Sequence, residues 1–380
     1  MWGELIVNNA DKTDYEGCTA TEARALEIEA CKKACALFQT AVTHYREVQI
    51  GEDVRIDALV NCGNTYSAWA LARMGCEEES QQDRQLTMNL LVQAEECYRN
   101  AVGRKEGEED AAVWSNLADV LVQHGEYQST FDPQAEFVLQ YFKSAQQAYQ
   151  KSCSLSSSEN GDDLAGLLLN WGSGMLTAAR HTYDETTSMR FLDESIELLK
   201  DCIAFHRGQV APYIALGDAL AAKAEKLVFK SSQNTNCEAL QYENPQNPQL
   251  ILIQQALQDG YSAALRVQSS EPEALVGIAE CHVQMAKWSP TQEGNEALWE
   301  TAVHAYSEAL GKVRELGNAQ QRADVQYNYA CCLSRTGKLQ EAASMVNRLV
   351  GLGYVTVEDV CKDDDLAPLH ASLINHFQRQ

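Results

Sequence analysis

Residues 112–123 read AVWSNLADVLVQ and carry the spacing that decides the fold. Trp114, Leu117, Ala118 and Leu121 fall at i, i+3, i+4 and i+7, which form one face of an α-helix. Because Ala118 is small, a neighbouring helix can approach this face closely. The stretch therefore predicts a helix that packs against a partner helix at Ala118.

The same spacing returns along the chain, each time with Gly or Ala at the fifth position of the span. The copies are Leu59, Cys62, Gly63 and Tyr66; Leu168, Trp171, Gly172 and Met175; Tyr213, Leu216, Gly217 and Leu220; Leu275, Ile278, Ala279 and His282; and, more weakly, Gln326, Tyr329, Ala330 and Leu333. We expect each copy to begin a pair of antiparallel helices.

A second pattern follows each copy: a small residue, a bulky residue four positions later and a small residue three positions after that. Its better copies are Ala94, Tyr98 and Ala101; Ala145, Tyr149 and Ser152; Ser195, Leu199 and Cys202; and Ala302, Tyr306 and Ala309. Degenerate copies are Ala256, Gly260 and Ala263, and Ala342, Val346 and Leu349. A further copy at Ala34, Phe38 and Ala41 has no first helix before it and is predicted to cap the array.

In this alternation the two patterns resemble W-x2-L-G-x2-Y and A-x3-F-x2-A of the tetratricopeptide repeat (TPR) family, over about residues 22–352. The resemblance implies an all-α fold, a right-handed α-solenoid of about six to seven antiparallel helix pairs. We expect residues 1–21 to form an N-terminal extension and residues 353–380 a capping segment, whose apolar residues are Leu366, Leu369, Leu373 and Phe377. The alternative is an irregular helical bundle.

The spacing inside the pairs is longer than in the family, whose repeat unit of about 34 residues separates the two small positions by roughly 12. Gly172 and Ser195 are 23 residues apart, whereas Ala330 and Ala342 are 12 apart. The pattern therefore predicts long insertions within most pairs. The longest runs over residues 229–249, is rich in Asn, Gln and Ser, and is expected to be an exposed loop.

Expanded inner turns of this kind resemble a eukaryotic subset of the family that includes the plant mitochondrial import receptor. The local likeness lies in CGNTYSAWALARMGCEEESQQDRQLTMNLLVQAEECYRNAV, residues 62–102, and in NWGSGMLTAARH, residues 170–181. That receptor is held by a C-terminal membrane helix, whereas this chain ends in the polar NHFQRQ. We therefore expect a receptor role only with a longer tail or a membrane partner.

Composition limits the classes of partner and compartment. The chain carries 30 basic and 54 acidic residues, a net charge of −24, which opposes nucleic acid and anionic membranes and favours basic or polar protein partners. Its 13 cysteines include no C-x-x-C pair, which indicates a reducing compartment. We expect the cytoplasm, or an organelle matrix if a targeting segment has been removed.

The family resemblance implies that the first helices line a concave groove, with the residues two before and one after the small position facing it. Two before it stand Asn61, Asn116, Asn170 and Asn328; one after it stand Asn64, Asp119, Ser173, Asp218 and Glu280. Asparagine can pair with the backbone of an extended peptide, and acids favour basic segments. The alternative is that these side chains cap turns or bond between helices.

Other chemistries leave no recognisable pattern. The family members that clamp heat-shock chaperone tails use basic groove residues, whereas this chain has Val60, Asn64 and Leu169 at such places, which argues against those tails. Phosphate loops, H-E-x-x-H and G-x-S-x-G are absent, so we expect no enzyme activity, cofactor or metal. The sequence predicts a scaffold, assembly or adaptor protein; the alternatives are an import-receptor-like targeting module and a helical enzyme-associated subunit.

Overall fold

A computed structural model gives the fold of the chain. It describes residues 18–23, 52–74, 80–134, 136–156, 161–233, 247–288, 292–312, 316 and 318–370, together with scattered positions between 25 and 40. The predicted N-terminal cap at Ala34, Phe38 and Ala41, the centre of the predicted long loop, and Leu373 and Phe377 lie outside the described residues.

The chain divides into two compact units, the first of which includes residues 28–226 and the second residues 227–380 with residues 9–27. The helices that begin in the first unit are α1 (Glu52–Met74), α2 (Gln81–Val102), the short α3 (Lys105–Glu108), α4 (Ala111–Ser129), α5 (Glu136–Leu155), α6 (Gly161–His181), α7 (Glu185–Phe205) and α8 (Ala211–Gln233). Here α1 pairs with α2, α4 with α5 and α6 with α7, and the first helices α1, α4 and α6 pack side by side.

The second unit repeats this arrangement. Its helices are α9 (Pro248–Gln255), a π-helical turn (Ala256–Tyr261), α10 (Ser262–Val267), α11 (Pro272–Trp288), α12 (Gln292–Leu310), α13 (Ala319–Arg335), α14 (Leu339–Gly351), α15 (Val357–Lys362) and a 3₁₀ segment (Asp364–Leu369). Helix α11 pairs with α12 and α13 with α14. No strand occurs in the described ranges, and the prediction of an all-α fold of repeated helix pairs is confirmed.

Small residues let the paired helices approach closely, as the sequence pattern requires. A Cβ atom on Gly63 would lie 2.6 Å from the Tyr98 ring, and one on Gly172 would lie 2.8 Å from Cγ of Leu199. Tyr98 and Leu199 are fully buried at the bulky position of their helices. In these two pairs the small residue of the first helix therefore makes room for the bulky residue of the second.

The α6–α7 pair explains where the inserted residues go. Only residues 182–184 separate the two helices, and Asp184 begins α7 by accepting a hydrogen bond from the Thr187 N–H at 2.8 Å. The added sequence lengthens both helices instead of widening the turn. Hydrogen bonds from α7 side chains to α6 backbone carbonyls join the two helices at intervals of seven residues. Ser188 donates to Ala179 at 2.6 Å, Ser195 to Gly172 at 2.7 Å and Cys202 to Ala165 at 3.1 Å.

The π-helical turn changes the register of the degenerate copy at residues 256–263. A π turn accommodates one extra residue, so Tyr261 rather than Gly260 takes the bulky position, with Ala256 and Ala264 as its fully buried small neighbours. The Tyr261 ring lies against Gly277 of α11, where an added Cβ would be 2.3 Å from the ring. The copy is therefore a complete one with a single inserted residue.

Both ends of the described chain pack within the second unit. Val360, Leu366 and Leu369 are buried in the same core as α11 to α14. Near the other end, the Ala20 N–H donates to the Leu352 carbonyl at 2.8 Å, and Ala23 is buried against Ala319. The apolar surface of the last helix pair is therefore covered by the chain itself.

Two glycines of α6 provide a test of the close approach. Gly172→Ala should lower the free energy of unfolding by about 1–3 kcal/mol because the new methyl group overlaps buried Leu199. Gly166→Ala is the matched control: beyond the local helix backbone, no atom of the described chain lies within 4 Å of its Cβ position, so it should raise stability by about 0.5–1 kcal/mol. Urea unfolding of both variants gives the comparison, and two equal effects would contradict a close helix approach at Gly172.

Candidate partner-binding surface

The asparagines predicted two positions before the small residue occupy equivalent places on three neighbouring first helices. Asn61 lies on α1, Asn116 on α4 and Asn170 on α6; we call these residues the asparagine row. Asn61 and Asn170 are exposed and Asn116 is half-buried. These three predicted site residues therefore lie at the same pattern position on helices that pack as neighbours.

The residues one after the small position have a different use, because the second helix supplies a buried tyrosine. The Tyr98 hydroxyl of α2 donates to Oδ1 of Asn64 at 2.5 Å. One pair later, the Tyr149 hydroxyl of α5 donates to Oδ1 of Asp119. Burial raises the pKa of both tyrosines, so they remain neutral donors. These two positions bond between helices, which is the alternative that the sequence left open.

The second unit has a related arrangement at Tyr306 of α12. Burial raises its pKa, and the Glu280 carboxylate nearby adds to this, while a hydrogen bond with Asn328 opposes it. The side chain of Asn328 is therefore engaged with α12, whereas Glu280 is exposed on α11. Sequence reasoning missed these tyrosine contacts, although a tyrosine at the bulky position opposite a polar residue was the available signal.

The remaining predicted residues of the first unit, Ser173 and Asp218, lie on α6 and α8. Ser173 is half-buried on α6. Asp218 of α8 is within 3.9 Å of the Arg180 guanidinium, and both side chains are substantially exposed. Such an exposed pair contributes little stability.

Asp119 has the most unusual electrostatic environment of the predicted residues. Burial raises its pKa to about 6, even though the hydrogen bond from Tyr149 favours ionisation. No lysine, arginine or histidine of the described chain contributes to that pKa. At neutral pH the carboxylate is therefore charged without a described cation beside it, which costs folding free energy.

Asp119→Asn tests this cost, because an amide can accept the Tyr149 hydroxyl as Asn64 accepts that of Tyr98. The native pKa lies above the unfolded one, so the wild-type protein loses stability as the pH rises from about 4 to about 6. The variant should be more stable by up to about 3 kcal/mol above that window and equal to the wild type below it. Urea unfolding across the window measures the difference, and a gain that does not vary with pH would refute the assignment.

A cluster of charges binds the C-terminal segment to the first helices of the second unit. Asp365 is 6% exposed and lies 2.8 Å from both Lys287 Nζ of α11 and Arg335 Nε of α13. Asp363 accepts the Tyr327 hydroxyl at 2.8 Å. It also faces Cys331, whose pKa is raised by burial and by Asp363 and Asp365. This face of α13 is therefore covered by the protein's own acidic segment.

The neighbouring acids of this segment allow a direct comparison. Asp365→Ala should lower the free energy of unfolding by about 1–3 kcal/mol, because Lys287 and Arg335 lose a shared carboxylate. Asp364 is exposed, and Asp364→Ala should change it by no more than about 0.5 kcal/mol. Thermal and urea unfolding give both values; equal losses would show that the cluster does not hold the segment.

A buried histidine in the first unit also escaped the sequence analysis. His124 of α4 is 1% exposed, and its ring stacks on that of Tyr141 with 4.1 Å between the ring centroids. Its Nδ1 lies 3.3 Å from Oε2 of Glu95 of α2. Although burial of Glu95 opposes its ionisation, bonds from His124 and Arg99 lower its pKa. The cluster joins α2, α4 and α5 in the core.

Within the described ranges, no group of three His, Cys, Asp or Glu side chains is placed to hold a metal ion.

Comparison with known proteins finds similarity among solved structures. No family model and no curated protein matches the chain. The nuclear import adaptor Nro1 of S. pombe is 12% identical, with a TM-score of 0.46 over 81% of this chain and 94% of that one. A thermophilic TPR protein of Thermus thermophilus is 14% identical, with a TM-score of 0.35 over 67% of this chain and 99% of that one.

A third similar structure is Acl4, an assembly chaperone of RpL4, with 13% identity and a TM-score of 0.38 over 83% of this chain and 97% of that one. Identities and TM-scores this low carry no functional argument. The likeness to the plant import receptor stays a prediction.

None of the helices in the described parts of the chain is both long and apolar enough to cross a membrane.

Proposed function

We propose that this protein is a non-enzymatic scaffold, adaptor or assembly protein that binds a protein partner through the asparagine row of its first unit. The observation that carries the proposal is the exposure of Asn61 and Asn170 at equivalent positions on neighbouring first helices. An amide offers both donors and acceptors, so a row of them can pair with an extended backbone whatever its side chains.

Charge supports a basic or polar partner segment. The net charge of −24 draws cationic partners toward the protein, and Asp119 adds a carboxylate one turn from Asn116 on α4. The buried polar clusters around His124 and Asp365 are used to join helices, which favours a structural rather than a catalytic role for them. The nine described cysteines are free thiols, five of them buried, in keeping with a reducing compartment.

Changing Asn61, Asn116 and Asn170 together to Ala tests the proposal. The intact chain, used as bait in an extract of its source cells, should retain a partner that the triple variant retains at least about tenfold less, since the backbone contacts are gone. Retention by the intact chain should also fall at high salt because screening weakens the attraction of a basic segment. Quantitative mass spectrometry gives the retained fraction.

The control changes Gln93, Gln147 and Gln150, which are exposed on second helices, to Ala. This variant should retain the partner as the wild type does, and all three chains should have the same circular dichroism spectrum. If the asparagine variant keeps the partner fully, the row is not the binding surface. If only the glutamine variant loses it, the partner binds the second helices instead.

A further inference from the structure

Asn64 and Asp119 occupy the same position in successive helix pairs and perform the same structural task. Each follows the small residue of its first helix, and each accepts the hydroxyl of the tyrosine at the bulky position of the second helix. In the α1–α2 pair a neutral amide performs this task. The negative charge of Asp119 is therefore not needed to bind Tyr149.

The charge is also costly where it stands. Tyr98 of α2 and Tyr149 of α5 are the titratable side chains that face Asp119, and both are neutral donors with raised pKa values. The one hydrogen bond that the described residues give this carboxyl group ends on Oδ1, so Oδ2 keeps its capacity to accept. A carboxylate held in this way is stabilised if a cation reaches it from outside.

The location of Asp119 allows such a cation to belong to a bound segment. Asp119 is half-buried, so part of the residue is exposed to solvent, and it follows Asn116 of the asparagine row by three residues on α4. Residues three apart on a helix lie on the same side. A segment whose backbone pairs with the row would carry a side chain past Asp119.

We propose that Asp119 is the specificity-determining anchor for a lysine or arginine side chain of the bound segment. This inference rests on the proposed function, because it assumes that the segment lies along the asparagine row. The cation pairs with the free carboxylate oxygen in a partly desolvated place, where the contact is stronger and less screened than on the open surface. The asparagine row then provides affinity without sequence preference, and Asp119 provides the preference.

The experiment selects ligands without assuming their sequence. A display library of random nine-residue peptides is selected on the intact chain at about pH 7.5 and counter-selected on the Asn61/Asn116/Asn170→Ala variant, so that recovered peptides depend on the row. The peptides should share a lysine or arginine at one fixed position. Their affinities are then measured by calorimetry on the wild type, on Asp119→Asn and on Glu136→Gln, which removes an exposed charge on α5.

Asp119→Asn should weaken the basic peptides by about 10- to 100-fold, whereas Glu136→Gln should leave them within about twofold, since its charge is solvated. On the wild type the affinity should be about tenfold lower at pH 5 than at pH 7.5, because protonation of Asp119 removes the anchor. Asp119→Asn should lack this pH dependence. A peptide in which the fixed basic residue is replaced by Gln should bind wild type and Asp119→Asn equally.

Four outcomes overturn the inference. Peptides that depend on the row but share no basic residue, or that bind Asp119→Asn as tightly as wild type, would remove Asp119 as the anchor and leave the proposed function intact. An equal loss in Glu136→Gln would show that net charge, not Asp119, attracts the peptides. Failure to recover any peptide that depends on the row would count against both the inference and the proposed function.

Discussion

Everything in this structure depends on the close approach of two helices at a small residue. At Gly172 the Cβ that is absent would overlap Leu199, and the Ser195 hydroxyl reaches the Gly172 carbonyl across the same gap. Dispersion and a buried hydrogen bond therefore act at one point, and both are lost if the helices separate. Because Ser188 and Cys202 make equivalent hydrogen bonds seven residues to either side, the pair is fixed along its length.

This packing also decides which polar residues are available to a partner. When the bulky residue of the second helix is a tyrosine, its buried hydroxyl needs an acceptor, and the residue after the small position supplies one. Asn64 and Asp119 are drawn into the helix pair in this way. The residue two before the small position has no such task in the first unit, and Asn61 and Asn170 remain exposed. The tyrosine contact thus engages an acceptor oxygen of Asn64, whose side chain is nevertheless exposed, and does not involve Asn61 or Asn170.

The sequence predicted what depends on local spacing and missed what depends on distant contacts. The repeated helices were placed correctly because small and bulky residues recur within one or two turns of each other. The prediction of a loop over residues 229–249 was wrong at its described ends, because residues 229–233 and 248–249 are helical. The extra residues of the α6–α7 pair extend these two helices. Residues 173–181 contain no proline, and only a short turn precedes α7. The distance in sequence between Gly172 and Ser195 does not reveal this. Asp365 meets Lys287 only after the chain has folded back, and no local pattern records that pairing.

On the basic segment that we propose as partner, two electrostatic effects of different range would act. The net charge of −24 is spread over a solvated surface, and its attraction is screened beyond roughly 10 Å at about 0.1 M salt, so it speeds encounter without choosing a position. Asp119 is a single carboxylate partly removed from water, where a contact is short-ranged and less screened. Surface acids can therefore vary without changing which residue of a segment is read, whereas exchanging Asp119 for the amide used at Asn64 preserves the helix pair and removes that discrimination.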